Sequence, residues 1–174
     1  NHPFEAWNGN QDLLSAMQSS VNWYFEEIDM KIGSSAIQDY IRKIGYGNEI
    51  VNANLSAYWM QGTLKISPVE QVELLTALHN NQFGFAPENI NAVKNSICLF
   101  SSENFSPEGK NFYGKTGTGR VDGQDVNGWF VGLLETTGNT YFFATNIQAA
   151  ENATGSKASE ISLSILSHMG IWKQ

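Results

Sequence analysis

The chain has 174 residues, 41% of them hydrophobic and 12% aromatic, which suits one domain with a real core. Its formal net charge is −7 and its pI near 4.8, and it shows no basic stripe to neutralise phosphates, which argues against a nucleic-acid partner. Purely apolar runs reach a few residues, against the roughly 20 of a membrane-spanning helix. Cys98 is the single cysteine, so no internal disulfide forms, and it is expected to be a small buried thiol in the run Ile97–Phe100. His2, His79 and His168 lack ligand spacing, so no metal site and no cofactor are expected. The chain opens at Asn1-His2-Pro3-Phe4 without a Met and is expected to be a piece of something longer.

In chain order, Leu13, Leu14, Met17, Val21, Phe25 and Ile28 recur at three- and four-residue steps and predict an amphipathic helix, broken at Gly33-Ser34-Ser35. A short helix through Ile37, Ile41 and Ile44 follows and stops at Gly45-Tyr46-Gly47-Asn48. Ser67-Pro68-Val69-Glu70 combines an N-cap hydroxyl, a proline at the first helical position and a glutamate to close the capping box. Val69, Val72, Leu75 and Leu78 are expected to line one face of that helix, and Pro87-Glu88 opens another around Ile90, Val93 and Ile97. After residue 110 three strands are predicted, Phe112–Val121, Gly128–Glu135 and Thr140–Ile147, punctuated by Asp122-Gly123 and Gly138-Asn139. A final helix over about Lys157–His168 carries Ile161, Ile165 and Met169. Helices, then an antiparallel meander, then a closing helix make an α+β pattern in one domain.

Residues 109–121, GKNFYGKTGTGRV, satisfy two motifs at once. Gly109 to Thr116 fits the phosphate loop G-x-x-x-x-G-K-[ST], which must open a helix so that the helix N-terminus can hold phosphate. Thr-Gly-Thr-Gly-Arg-Val follows Lys115 instead, which favours a strand and makes that match accidental. Read as a strand, Lys115 can place a cation near an anionic ligand, and the hydroxyls of Thr116 and Thr118 can bind a carboxylate. Gly117 lets a flat ligand approach the backbone with no Cβ in the way. A lone Lys-Thr-Gly is also a common strand end; its company decides the matter.

That company is Ala16–Phe25 (AMQSSVNWYF), Tyr46-Gly47-Asn48, Tyr58–Ser67 (YWMQGTLKIS) and Tyr113–Gly119 (YGKTGTG), followed by Gly128-Trp129-Phe130-Val131-Gly132. In this order, over nearly the whole chain, the blocks resemble the penicillin-recognising serine proteins, in particular the class D β-lactamases and the sensor domains of BlaR/MecR receptors. The resemblance implies a β-lactamase/penicillin-binding-protein-like fold: an antiparallel sheet flanked by helices plus a helical subdomain, with the site between them. It implies a supporting catalytic role for Ser20, beside the nucleophile in the proton relay, and for Lys115, which assists that relay. Ligand binding would fall to Ser20, Asn22, Lys115, Thr116, Gly117 and Thr118. Tyr46, Asn48 and Trp59 would border the site, although a plain helix stop and a core tryptophan explain them equally well.

The departures are as informative. The family's nucleophile lies in Ser-x-x-Lys, where the amine one turn on activates the hydroxyl. No serine of this chain has lysine three places on. That motif belongs upstream of the Ser20 block, so this chain is expected to be the C-terminal portion of the domain. Position 22 is the second departure: hydrolases resemble Ser-x-Val, whereas Ser20-Val21-Asn22 resembles the receptors' Ser-x-Asn. An amide can hydrogen-bond the lysine and compete with its carboxylation, leaving no general base for the deacylating water. No arginine follows Arg120 to receive the drug's carboxylate, a task left to Thr116, Thr118 and Lys115.

The resemblance thus implies a receptor rather than an enzyme: the extracellular β-lactam sensor domain of a membrane-tethered signal transducer of a Gram-positive bacterium, acylated by β-lactam antibiotics. Its partner would be its own membrane-embedded zinc protease portion, outside this chain. A class D-like serine β-lactamase is the alternative, and a non-catalytic interaction module with the same fold a third.

Overall fold

The fold was obtained as a computed structural model, which describes residues 2–51, 55, 58–60, 62–100 and 110–172. The chain divides into two compact units, Asn1–Glu70 with Thr76–Cys98, and Gln71–Leu75 with Leu99–Gln174.

The first unit is helical. Asp12 caps α1 (Leu13–Gln18) by accepting from Ser15 N at 2.8 Å, and Ser15 Oγ accepts from Asp12 N in return. The single helix expected across 13–28 is in fact two, since α1 ends at Ser19-Ser20 and α2 runs Asn22–Ile32. Apolar periodicity missed the break because Ala16 and Val21, which flank it, are both fully buried and keep the stripe continuous. Gly33 separates α2 from α3 (Ser34–Lys43). α4 (Pro68–His79) begins with the expected capping box, and α5 spans Pro87–Ser96. α1 packs on α5 and α2 on α3. Val69 does not join the apolar face of α4: it is 68% exposed in the first turn.

The second unit is a four-stranded sheet in the order β1 (Cys98–Phe100), β2 (Asn111–Val121), β3 (Gln124–Glu135), β4 (Thr140–Gln148), with β2–β3 and β3–β4 antiparallel. Asp122 and Gly123, at φ 48° and 79°, make the two-residue turn with left-handed backbone that fits a twisted hairpin. The ladder places Lys115 opposite Val131 and Gly117 opposite Trp129, and a bulge lies between Gly119 and Arg120. Strand pairing through 111–121 excludes the helix that a phosphate loop needs; Gly109 lies outside the described residues. Cys98 is half-buried rather than enclosed, on the short first strand.

α6 (Gly155–His168) packs on the sheet through a face other than the expected one. Ala158, Ser162 and Leu166 are buried, whereas Ile161, Ile165 and Met169 are 39%, 51% and 65% exposed. Small residues let the helix approach the strands closely, and Ser162 Oγ satisfies itself on Thr145 Oγ1 (2.7 Å) and Ala158 O (2.8 Å). Phe112, Phe130 and Trp172 complete this core, with Phe112 ring centroids 6.3 Å from Phe130 and 5.0 Å from Trp172. The antiparallel sheet with its packed helix, and the helical unit besides, are the α+β architecture that the sequence predicts.

Candidate functional site

Ser20 sits on a deliberate kink. Val21 N–H donates to Ala16 O (2.8 Å) and Ser20 N–H to Met17 O (3.3 Å), the paired closure of a helix end. The closure requires left-handed backbone at Ser20, whose φ is 51°. Its exposed side chain thus stands on a corner between two short helices, with buried Ala16 and Val21 anchoring the backbone on either side.

Asn22 is the first residue of α2, half-buried, and its Nδ2 donates to Met60 Sδ at 3.1 Å. Beside Met60, the Trp59 ring stands edge-on to Tyr58, with centroids 4.9 Å apart at 89°. Tyr58 is buried, and its phenol hydrogen-bonds Asp29 of α2. Burial, then the neighbouring Asp29 charge, pushes the phenol up to about 12. Asp29 is itself raised above the ordinary carboxylate range, by burial first and the Glu26 charge besides. Among the chain's six tyrosines, Tyr58 is expected to ionise late in an absorbance titration, and Tyr58→Phe should remove that late step. Because its folded pKa is raised, the stabilisation is complete below the ordinary value of 10.0. It is lost as pH rises through about 12.

Tyr46, Gly47 and Asn48 form a clamp. α3 closes with Gly45 N–H on Arg42 O and Tyr46 N–H on Ile41 O, and burial raises the Tyr46 phenol's pKa. Asn48 then binds one loop with its whole amide: Nδ2 donates to Thr63 O (2.8 Å), and Oδ1 accepts from Lys65 N (3.0 Å) and Ile50 N (3.3 Å). A Cβ on Gly47 would lie 1.8 Å from Lys65 O, so the backbones touch only because position 47 is glycine. Asn48 therefore shapes the border through backbone contacts.

The other half of the predicted set is on β2. Lys115 is half-buried, its ammonium held below the ordinary lysine range by desolvation, with Nζ donating to Thr116 O at 2.9 Å. Thr116, Gly117 and Thr118 are exposed. Strand alternation puts Lys115 and Gly117 on one face, Thr116 and Thr118 on the other. Thr118 Oγ1 accepts the Gly155 N–H at the start of α6 (2.9 Å), which leaves its O–H as a donor. A Cβ on Gly155 would meet Gly117 O at 2.7 Å and Gly117 N at 2.9 Å. Alanine is the better helix former by about 1 kcal/mol. Even so, Gly155→Ala is expected to destabilise by about 1–3 kcal/mol in urea denaturation, because backbone cannot yield as a side chain can. Ser156→Ala, at an exposed neighbouring position, should be nearly neutral.

The structure thus brings Ser20, Asn22, Tyr46, Asn48 and Trp59 into the first unit and Lys115–Thr118 into the second. Sequence reasoning missed Asp29 and Met60, whose roles depend on contacts across 29 and 38 positions, and Gly155, hidden two residues before the expected helix start.

Residues 1–167 match the family model of the penicillin-binding protein transpeptidase domain. Regulatory protein BlaR1 of Bacillus licheniformis is 45% identical over 171 residues, 98% of this chain and 28% of that protein. The chain therefore spans little more than a quarter of this receptor's length. The solved C-terminal domain of the Bacillus licheniformis BlaR penicillin-receptor superimposes with a TM-score of 0.90 at 45% identity, over 99% of this chain and 68% of that one. A class D β-lactamase from Bacillus subtilis follows at 0.88 and 31% identity, over 100% and 69%. The chain belongs to the penicillin-binding protein transpeptidase family, in which it is similar to β-lactam receptor domains and to class D β-lactamases.

Proposed function

We propose that this chain is part of the extracellular β-lactam sensor of a membrane-tethered receptor, acylated by penicillins and slow to release them. The nucleophilic serine and its lysine would come from a Ser-x-x-Lys segment that this chain does not carry. Ser20 serves the proton relay from its kinked corner, and Lys115 assists from β2 with an ammonium that burial makes easier to deprotonate. Thr116 and Thr118, which share a face of β2, receive the drug's carboxylate. Tyr46, Asn48 and Trp59 border the site. The trapped adduct is then the signal, relayed by the receptor's own membrane and zinc protease portion to induce β-lactamase. Among the described residues no helix is long and apolar enough to cross a membrane. The tether would be elsewhere in the receptor.

Asn22 carries this reading: an amide, not an apolar group, occupies the start of α2 and is held there by a hydrogen bond. The test is intact mass over time for a longer chain carrying the Ser-x-x-Lys segment, mixed with excess benzylpenicillin and then freed of it. A penicilloyl adduct persisting for hours is expected. The structural similarity to class D β-lactamases supports a second reading, hydrolysis. An adduct decaying within minutes, with hydrolysed drug accumulating, would establish that one instead. No adduct at all would leave a non-catalytic module.

A further inference from the structure

We propose that the notch beside Trp7 and Trp23 is a binding site for an organic cation carrying an alkylammonium group. None of its residues is among those assigned to the drug, and the proposal does not depend on the sensor reading.

The notch has a volume of about 390 Å³ and is lined by His2, Trp7, Asn8, Gly9, Trp23 and Glu27. Small-ligand sites ordinarily run from about 300 to 1,000 Å³. Half of its lining residues are aromatic. The His2 imidazole lies nearly parallel to Trp23, with centroids 5.5 Å apart at 14°, and is tilted by 58° to Trp7 at 6.2 Å. Phe4 backs Trp7 from a centroid distance of 5.2 Å.

Hydrogen bonds fix these rings by their polar ends. Trp7 Nε1 donates to Ser19 O (3.1 Å), Trp23 Nε1 to Trp7 O (3.0 Å), and the His2 backbone N–H to Asn8 Oδ1 (3.1 Å). Both indole N–H groups are therefore spent on backbone. What the two half-buried tryptophans still offer a visitor is their π clouds, which attract positive charge. That disfavours a sugar, which would draw on donors in the plane of the ring.

The charge on the lining has the complementary sign. Glu27 is exposed on α2, and among the described residues it has no ion-pair partner. Among the described residues no lysine or arginine lines the notch, and the whole chain carries a net charge of −7. Aromatic rings cluster for packing alone more often than they bind, but a packing cluster has no use for a carboxylate on its lining. A carboxylate beside indole faces selects a cation with an apolar surface, which describes an alkylammonium group.

The test is a titration followed by the indole N–H resonances of Trp7 and Trp23, in the longer chain carrying Ser-x-x-Lys. It is run at about pH 8, because a protonated His2 would be a competing cation. The probes are choline, its uncharged isostere dimethylbutanol with carbon in place of nitrogen, Nα-acetyl-lysine amide, and N-acetylglucosamine. A cation is expected to move both resonances saturably, with an affinity of about a millimolar, which exposed π faces and one exposed carboxylate can supply. Whichever of choline and the lysine amide binds tighter identifies the source as a quaternary or a primary ammonium. The uncharged isostere should bind about tenfold more weakly than choline. Glu27→Gln, at an exposed helical position that glutamine suits equally well, should weaken cation binding about threefold and leave the isostere unchanged. Equal affinity for choline and its isostere would reduce the notch to an apolar dent and overturn the proposal. Unmoved indole resonances, a Glu27→Gln affinity equal to the parent's, or tighter binding of N-acetylglucosamine than of either cation would overturn it as well.

Discussion

Asn22→Val, in a chain carrying the Ser-x-x-Lys segment, is expected to convert a persistent penicilloyl adduct into one that turns over, shortening its lifetime by about 100-fold or more. On the proposed sensor reading, the size follows from what would be restored: a positioned general base is worth about 10²–10⁴ in rate, and the lysine's carbamate would be that base. On that reading, valine would remove the amide that competes for the lysine and dry its surroundings. The backbone has no reason to object. Residue 22 is the first of α2, where its own N–H would lack an intrahelical partner whatever the side chain. It is also half-buried, so an apolar replacement keeps its contacts. The loss of the 3.1 Å contact to Met60 Sδ involves a weak acceptor and should change stability by less than about 1 kcal/mol. A large change in deacylation with a small change in unfolding would therefore be chemistry. The measurement is a mass time course after drug removal, alongside release of hydrolysed benzylpenicillin. An unchanged lifetime would mean that something other than Asn22 keeps the adduct.

The chain displayed its three long strands and its motif blocks openly, because each rests on near neighbours in sequence. Alternation and turn chemistry placed β2 and β4 to within a residue but began β3 four residues late, at Gly128, and missed the short β1, whereas Ser67-Pro68-Val69-Glu70 announced α4 through contacts three residues apart. Choices settled between distant segments were not legible. The stripe Ile161, Ile165, Met169 and the stripe Ala158, Ser162, Leu166 have the same helical spacing, and hydrophobicity favours the first. The sheet takes the second because close approach and the Ser162–Thr145 hydrogen bond outweigh side-chain size. The clamp formed by Asn48 and the tie from Asn22 to Met60 were equally hidden, since each spends a side chain on a partner 15 or more positions away.

Ser20 provides the strongest expectation after Asn22, and it comes from comparing helix ends. α1, α3, α4 and α6 all close with the same pair of hydrogen bonds, to the third- and second-last helical carbonyls. Each needs one left-handed residue, and these are Ser20 (φ 51°), Gly45 (63°), Asn81 (50°) and Gly170 (70°). Glycine and asparagine are what this position ordinarily takes; serine places a Cβ against the following carbonyl at a cost of about 1 kcal/mol or more. A residue held there against its preference points to a use for its side chain. Ser20→Gly is accordingly expected to raise stability in urea denaturation by up to about 1 kcal/mol, since the kink and its hydrogen bonds persist without the strain. The same change should slow acylation of the longer chain by benzylpenicillin about 100-fold or more, the range for a lost proton-transfer group. Ser20→Ala separates the two effects, losing the hydroxyl while retaining the Cβ: it should acylate as slowly as the glycine variant without gaining its stability. A glycine variant that is more stable and acylates at the parent's rate would make Ser20 a strained turn and nothing more. One that loses both stability and rate would place the hydroxyl in the fold rather than in the proton relay.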